Sequence, residues 1–477
     1  MWQPVLMISG YFISLLGMAM LIPAAIDVYY TQTNWSYFFT SSIVSLFIGV
    51  SLFLANRCKI RDISLQQGYL LTVCSWFSVA LLGAVPFALY GTNLTDSVFE
   101  AFSGISTTGA TIYPNVEDLP HSILLWRAIL HGLGGVGIVV FAIAMLPFLG
   151  IGGMQIFQRE NSDVNEKFLP KISYIAKRII IVYIALQVSC LLALKFAGMG
   201  WFDAICQALS TVATGGFSTK NTSIAAFNSS SIEWIITLFM FLGAVPLTFY
   251  HSLLATKNIH SLRSSQVAAF IKILGIYILG VTLWLWWSDT YSFFTSLRMA
   301  AFNIVSIVTT TGFSTANYLE WGIFAGTLFI IFALTGGCTG STSGSIKIFR
   351  WQAVIAQIRK SFIAATEPNR MVPLKIGQSI LSGDIAYSIL IFFAVYAFSV
   401  AILTVLISIC GFDFITSFSA VIACMTNSGP GIGNIIGPTG TYAPLSDMAK
   451  YILSFAMIVG RLEVMTVLVI FTKNFWR

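Results

Sequence analysis

Four times along this chain an apolar segment runs into a short hydroxyl-and-glycine stretch: Thr107-Thr108-Gly109, Thr214-Gly215-Gly216, Thr310-Thr311-Gly312 and Asn427-Ser428-Gly429. Their last glycines follow one another at 107, 96 and 117 residues, a spacing suited to one repeating unit of a fold. Backbone that leaves the helix inside an apolar chain must be buried in protein or line water, because lipid cannot satisfy its polar groups. Four such stretches meeting on one axis would form a ring of carbonyl oxygens, a device that coordinates a dehydrated cation.

The rest of the chain fits a membrane setting. Of 477 residues, 57% are hydrophobic and only 9% charged, against ~25% charged in an ordinary soluble protein. The apolar runs extend over ~20 residues, the length of a spanning helix rather than the ~10 alternating residues of a barrel strand. The fold class is therefore all-α integral membrane. The net charge of +7 does not argue for nucleic acid, since the basic residues fall mostly between spans, as positive-inside topology expects. Cys58, Cys74, Cys190, Cys206, Cys338, Cys410 and Cys424 form no CxxC pair and mostly lie within apolar segments, so they read as small buried hydrophobes. His121, His131, His251 and His260 form no metal-ligating group, and no nucleophile–base cluster or GxGxxG or Walker fold is visible. An enzyme is the poorest fit. Met1 to Gln3 supply no basic leader region and the apolar run continues to about Ile26, so this segment reads as a retained first helix.

Hydropathy places spans at 4–26, 36–56, 67–90, 121–149, 175–197, 231–255, 266–287, 321–346 (interrupted), 380–409 and 447–472. Shorter apolar stretches at 96–107, 202–214, 293–309 and 413–426 are too short to cross, and each leads into one glycine stretch. The expected unit is span, short re-entrant helix, strand, span. It divides the chain into two extra helices over 1–62 and four units at 63–165, 166–262, 263–376 and 377–477. Asp96 and Asp203 each stand 13 residues before Gly109 and Gly216, where each would cap a short helix, which puts Gly216 rather than Gly215 in register with Gly109. Gly216-Phe217-Ser218-Thr219 also repeats as Gly312-Phe313-Ser314-Thr315. Asp413 precedes Gly429 by 16 residues, which suggests one extra turn in the fourth unit; the third lacks the aspartate and has Arg298 nearby.

Basic residues orient the chain. Arg57, Lys59, Arg61, Arg159, Lys167, Lys171, Lys177, Arg178, Lys257, Arg263, Lys347, Arg350, Arg359, Lys360, Arg370 and Lys375 all lie between units. The strand-side loops carry little positive charge, Lys220 excepted, and include Glu117 and Asp118. The inter-unit loops are then cytoplasmic, the strands open outward, and ten spans leave both termini inside.

A re-entrant helix entering from outside aims its carboxyl end, carrying about half a negative charge, at the membrane centre. Four such ends favour a cation there. Two further features carry chemistry. Gly336, Gly337, Cys338, Thr339, Gly340, Ser341, Thr342, Ser343, Gly344 and Ser345 interrupt the second span of the third unit. That many glycines and hydroxyls cannot form a lipid-facing helix, and 318–334 is short for a crossing. Arg461 falls near the centre of the last span, where a charge costs several kcal/mol and normally faces a cavity. Glu463, two residues on, would not share its helical face. Gly132, Gly134, Gly135 and Gly137 read as close helix packing.

Over nearly its whole length the chain resembles the TrkH/KtrB/HKT superfamily of cation transporters, and its TrkH-type branch most closely. The likeness rests on the four glycine stretches, on 336–347, on Gly460-Arg461-Leu462-Glu463, and on the two helices ahead of the first unit. It implies potassium uptake across a bacterial inner membrane, with the four stretches as selectivity filter and the bound potassium ion as substrate rather than cofactor. It further implies that 336–345 is an intramembrane gate, although Ser343 and Ser345 stand where relatives are often glycine. Arg461 would act below the filter. A homodimer and a separate cytosolic TrkA-type nucleotide-binding subunit also follow from the likeness. A sodium-permeable or ion-coupled (symport) relative is the alternative; Gly109 favours potassium, because a serine there accompanies sodium preference in the plant branch. A transporter of organic solutes would need polar side chains at a midplane site.

Overall fold

The computed structural model describes residues 2–58, 64–145, 168–256, 264–377 and 379–477. The expected unit boundaries at 62/63, 165/166 and 262/263 lie outside the described residues, as do Lys59, Arg61, Arg159, Lys167, Lys257, Arg263 and the end of the span expected at 121–149.

Four short helices sit at the centre of the molecule: Leu94–Ile105, Trp201–Val212, Phe293–Val308 and Phe414–Thr426. At 1.5 Å per residue they reach only ~18–24 Å, less than the hydrocarbon thickness. Their burial shows where they lie. In Leu94–Ile105 ten of twelve residues are buried, whereas in the long helix Gly383–Ile409 nine of 27 are. The short helices are thus enclosed by protein, and the long ones present an apolar face outward.

Around them, among the described residues, stand seven helices long and apolar enough to span: Trp2–Tyr29, Trp35–Ala55, Leu65–Leu89, His121–Val139, Tyr174–Phe196, Ser265–Trp287 and Gly383–Ile409. Three of the ten expected spans differ from the hydropathy reading, each for a local reason. The segment read as 231–255 breaks into Ser230–Ala244 and Leu247–Thr256. Pro246 lacks an N–H and pushes Val245 out of the helical region, to ψ 147. The segment read as interrupted over 321–346 does break, at Leu334, but resumes beyond the expected end as Ile348–Thr366, a helix that hydropathy did not suggest because Arg350, Arg359 and Lys360 fall within it. The last span bends by 112° between Asp447–Arg461 and Val464–Phe471, with Glu463 at φ 66 in the joint.

The aspartate registers also resolve differently. Asp96 and Asp203 lie in the first helical turns rather than at the caps. Asp96 pairs with Lys450 at 2.5 Å, and Asp203 accepts from Thr219 Oγ1 at 2.6 Å. Asp413 alone is a cap, accepting from the Thr416 amide. The longer offset of Asp413 therefore comes from its position at the cap. The extra turn belongs to the third short helix, with 16 residues against 12, 12 and 13.

Candidate functional site

Each short helix ends in the same way. Thr107, Thr214, Thr310 and Asn427 have φ 52, 53, 61 and 57, and two residues later Gly109, Gly216, Gly312 and Gly429 have φ 80, 86, 84 and 85. The first set turns the chain out of the helix. Thr107 N bonds Gly104 O and Thr108 N bonds Ser103 O, and the pairs Thr214/Gly215, Thr310/Thr311 and Asn427/Ser428 repeat both bonds. That double closure is the Schellman helix end, normally built on glycine. A β-branched residue at positive φ is strained by ~1–3 kcal/mol, and three threonines here accept it. Asparagine tolerates the conformation best, so the sequence-divergent fourth stretch keeps the backbone of the other three. Its difference from the other three is confined to side chains.

The second set closes the ring. A Cβ placed on Gly109 would stand 2.2 Å from Gly215 O, on Gly216 1.9 Å from Thr311 O, on Gly312 2.2 Å from Ser428 O, and on Gly429 2.6 Å from Thr108 O. Each glycine abuts the carbonyl that precedes the glycine of the next unit, and the fourth returns to the first. Four strands from distant parts of the chain therefore form one closed circuit, in which Gly216 takes the register position and Gly215 precedes it. Nine of the twelve residues of the stretches are buried, and Gly109, Gly216 and Gly312 are half-buried. Outside the ring the strands open into a cavity of about 90 Å³.

Beneath the ring lies the interrupted segment. Its neck is closed by Gly336 N to Ile346 O and Ile348 N to Gly337 O, at 2.9 and 3.1 Å. Its outer side fits the break made by Pro246: Cys338 N donates to Ala244 O and Thr342 N to Gly243 O, while Leu247 N donates to Gly340 O. Carbonyls freed from one span are satisfied by the loop of another, as non-helical backbone at this depth requires. The inner side touches the ring. Gly344 N donates to Thr310 Oγ1 at 2.6 Å, Thr342 Oγ1 to Val212 O at 2.9 Å, and Thr214 Oγ1 to Thr342 Oγ1 at 3.4 Å. Serines fix the loop's shape: Ser343 Oγ accepts from Gly337 N, Ser341 Oγ donates to Cys338 O, and Ser345 Oγ donates to Ala333 O.

Arg461 ends the helix Asp447–Arg461 and is 4% exposed. Its Nη2 donates to Thr342 O at 2.8 Å; Nε and Nη1 have no hydrogen-bond partner among the described residues. Both Arg461 and Lys347 line a cavity of about 60 Å³ with the loop residues Thr339, Gly340, Ser341, Ser343, Gly344 and Ser345, and Lys347 Nζ donates to Ser343 O. Glu463 instead pairs with Arg350 at 2.7 Å, so the sequence argument against an Arg461–Glu463 pair holds.

The family described as TrkH, a cation transport protein, matches residues 35–477. The chain belongs to the TrkH family. It is 36% identical to the Trk system potassium uptake protein TrkI of Halomonas elongata, over all of this chain and 97% of that one. It is 35% identical to the Trk system potassium uptake protein TrkH of Escherichia coli K12, over 98% of each. The crystal structure of the potassium transporter TrkH from Vibrio parahaemolyticus superposes with a TM-score of 0.92 at 32% identity, covering both chains fully. The chain is thus an all-α membrane transport protein, not an enzyme.

Within this TrkH-family site stand two features that the sequence reading does not name and a third that it names only as close helix packing. Nine residues before its glycine, each of the first three short helices carries a polar side chain that braces the outgoing strand. Glu100 accepts from Thr111 Oγ1 and Ile112 N at about 3.0 Å; Gln207 Nε2 donates to Ser218 Oγ at 2.8 Å; Asn303 Nδ2 donates to Thr315 Oγ1 at 3.0 Å. In the fourth, Ser419 exchanges two bonds with Ile432. The constant offset was readable. Arg127 was readable too, as a charge inside an apolar span. It pairs with Glu100 at 2.7 Å, with both side chains buried, donates to Ser218 O, and lies 4.0 Å above the Phe217 ring. The third is a contact of second-span glycines with the helix ends. A Cβ on Gly134 would stand 2.0 Å from Ile105 O, and on Gly460 2.0 Å from Met425 O. Of the glycines expected to pack closely, Gly134 and Gly135 do, Gly132 is intermediate, and Gly137 has a neighbour only at 3.7 Å.

Proposed function

We propose that this TrkH-family protein takes up potassium through one pore per chain. Thr107, Thr108, Gly109, Thr214, Gly215, Gly216, Thr310, Thr311, Gly312, Asn427, Ser428 and Gly429 form its selectivity filter. The observation that carries the reading is the closed circuit in which every ring glycine meets the next unit's carbonyl. Backbone oxygens held at that spacing replace the water of a dehydrated cation, and the carboxyl ends of four helices supply about half a negative charge each. The 33–36% identical relatives named for potassium uptake support potassium as the ion.

The loop from Gly336 to Ser345 acts as the gate and Arg461 as its fixed charge. Support comes from the loop's hydrogen bonds to Thr310 and Val212 directly under the ring and from the Arg461 bond to Thr342. Opening would require these bonds to break and the loop to leave the axis. The units at 63–165, 166–262, 263–376 and 377–477 each supply one wall, with 1–62 packed outside. Family likeness supports a bacterial inner-membrane setting, a homodimer and a cytosolic TrkA-type partner. The basic residues Lys347, Arg350, Arg359, Lys360, Arg370 and Lys375, together with Lys473 and Arg477, support cytoplasmic termini.

The test is growth of a potassium-uptake-deficient bacterium at low external potassium, with the chain expressed beside its regulatory subunit. Restored growth that sodium does not replace is expected. Failure with protein present in the membrane overturns the potassium reading.

A further inference from the structure

The cavity outside the ring is unusual for the mouth of a cation pore. Acidic side chains commonly ring such mouths and raise the local cation concentration. Here no carboxylate is among the described residues that line the cavity, while two cationic residues, Arg127 and Lys220, are. Their situations differ. The Arg127 charge is matched by Glu100 at 2.7 Å and held by Thr111 and Ser218. The Lys220 ammonium makes no hydrogen bond or ion pair among the described residues; only its backbone is anchored, the amide donating to Ser218 Oγ at 3.1 Å and the carbonyl accepting from Ser223 N at 3.2 Å. Glu117 and Asp118 belong to the same rim but not to the lining; Glu117 accepts from the Asn221 amide and Asp118 from Asn115, neither being paired with Lys220. Four residues past the ring glycine, the other units carry Tyr113, Ala316 and Gly433. The cavity lining thus bears one cation without a paired carboxylate, Lys220, while the carboxylates of Glu117 and Asp118 stand on the rim beside it.

Resting on the potassium-uptake reading, we propose that Lys220 is a positioning charge of the outer mouth. It lowers the local concentration of cations at the filter entrance and so sets the apparent affinity for the entering ion. The charge touches neither the ring nor the ion, so it acts on entry and leaves selectivity alone. A unit charge ~10 Å from an ion in water changes that ion's occupancy about twofold, and reversing the charge about fourfold. Electrostatics at an exposed site are screened, with a Debye length of ~30 Å at 0.01 M and ~3 Å at 1 M.

The experiment is rubidium-tracer influx into proteoliposomes containing the full-length chain, at subsaturating external potassium. Ionic strength is set with choline chloride at about 0.01 M or about 1 M. Lys220→Gln is expected to raise influx about twofold and Lys220→Glu about fourfold at low ionic strength, through KM and not kcat. Lys220→Arg should match wild type, and all four proteins should converge at high ionic strength. A structural role would change kcat or persist in high salt. Unchanged influx in Lys220→Gln and Lys220→Glu at low ionic strength, or a change that salt does not remove, overturns the proposal while wild-type flux leaves the transport reading intact. Absence of wild-type flux above empty vesicles removes both.

Discussion

Replacing Gly216 by alanine should disable the filter without unfolding the protein, and the structure fixes why. The new methyl carbon would stand 1.9 Å from Thr311 O, where an ordinary carbon–oxygen contact is ~3.3 Å. Relief requires that carbonyl to retreat by ~1.4 Å, far enough to remove it as an ion ligand. Gly216 also sits at φ 86, which costs an L-residue ~1–2 kcal/mol. That strain alone equals about a 5- to 30-fold shift between intact and distorted rings. Potassium influx in proteoliposomes, with sodium as competitor, should therefore fall by about tenfold or more and lose its potassium preference. The other positions grade the effect: Gly109 and Gly312 meet carbonyls at 2.2 Å and Gly429 at 2.6 Å, so Gly429→Ala should be mildest. Gly275→Ala is the control, since no atom lies within 4 Å of its added carbon. Wild-type influx and preference in a folded, monodisperse Gly216→Ala protein would refute the argument.

Three further outcomes are expected. Glu100→Leu leaves the buried Arg127 charge unmatched and should destabilise the detergent-solubilised protein by about 3–5 kcal/mol in denaturant titrations, with Glu100→Leu/Arg127→Met recovering most of it. Shortening 336–345 should raise flux in purified protein, since the loop lies under the ring; unchanged flux would deny it the gate role. Arg461→Gln removes a fixed cation from the inner cavity and weakens the bond to Thr342 O, so flux should rise several-fold at about 1.4 kcal/mol per tenfold. A fall would point to a purely structural arginine.

The ring was legible in the sequence because its geometry excludes a side chain at four places, and glycine spacing records that directly. Register was legible from Asp96 and Asp203, even though the physical role assigned to them was mistaken: equal position in the first turn aligns the helices as well as equal caps would. Asp413 misled for the same reason: it is the true cap, and it looked displaced only because Asp96 and Asp203, inside the first turn, were counted as caps. The break at Val245 was visible as Pro246, but hydropathy averages over such a residue. Its partner was not visible, since nothing local says that carbonyls freed near 244 will meet amides near 338. The 112° bend after Arg461 has no proline beside it. It rests on packing of Gly460 against Met425 O and on the Arg350–Glu463 pair, both long-range.

The central claim is that four strands of one chain hold a dehydrated cation between their backbone oxygens. Diffraction from crystals grown in rubidium or thallium salts tests it directly, because these ions scatter anomalously and substitute for potassium. The account predicts anomalous density on the axis enclosed by Gly109, Gly216, Gly312 and Gly429, lost when sodium replaces the heavy ion. Density confined to the outer cavity, or an empty axis at saturating ion, would contradict it.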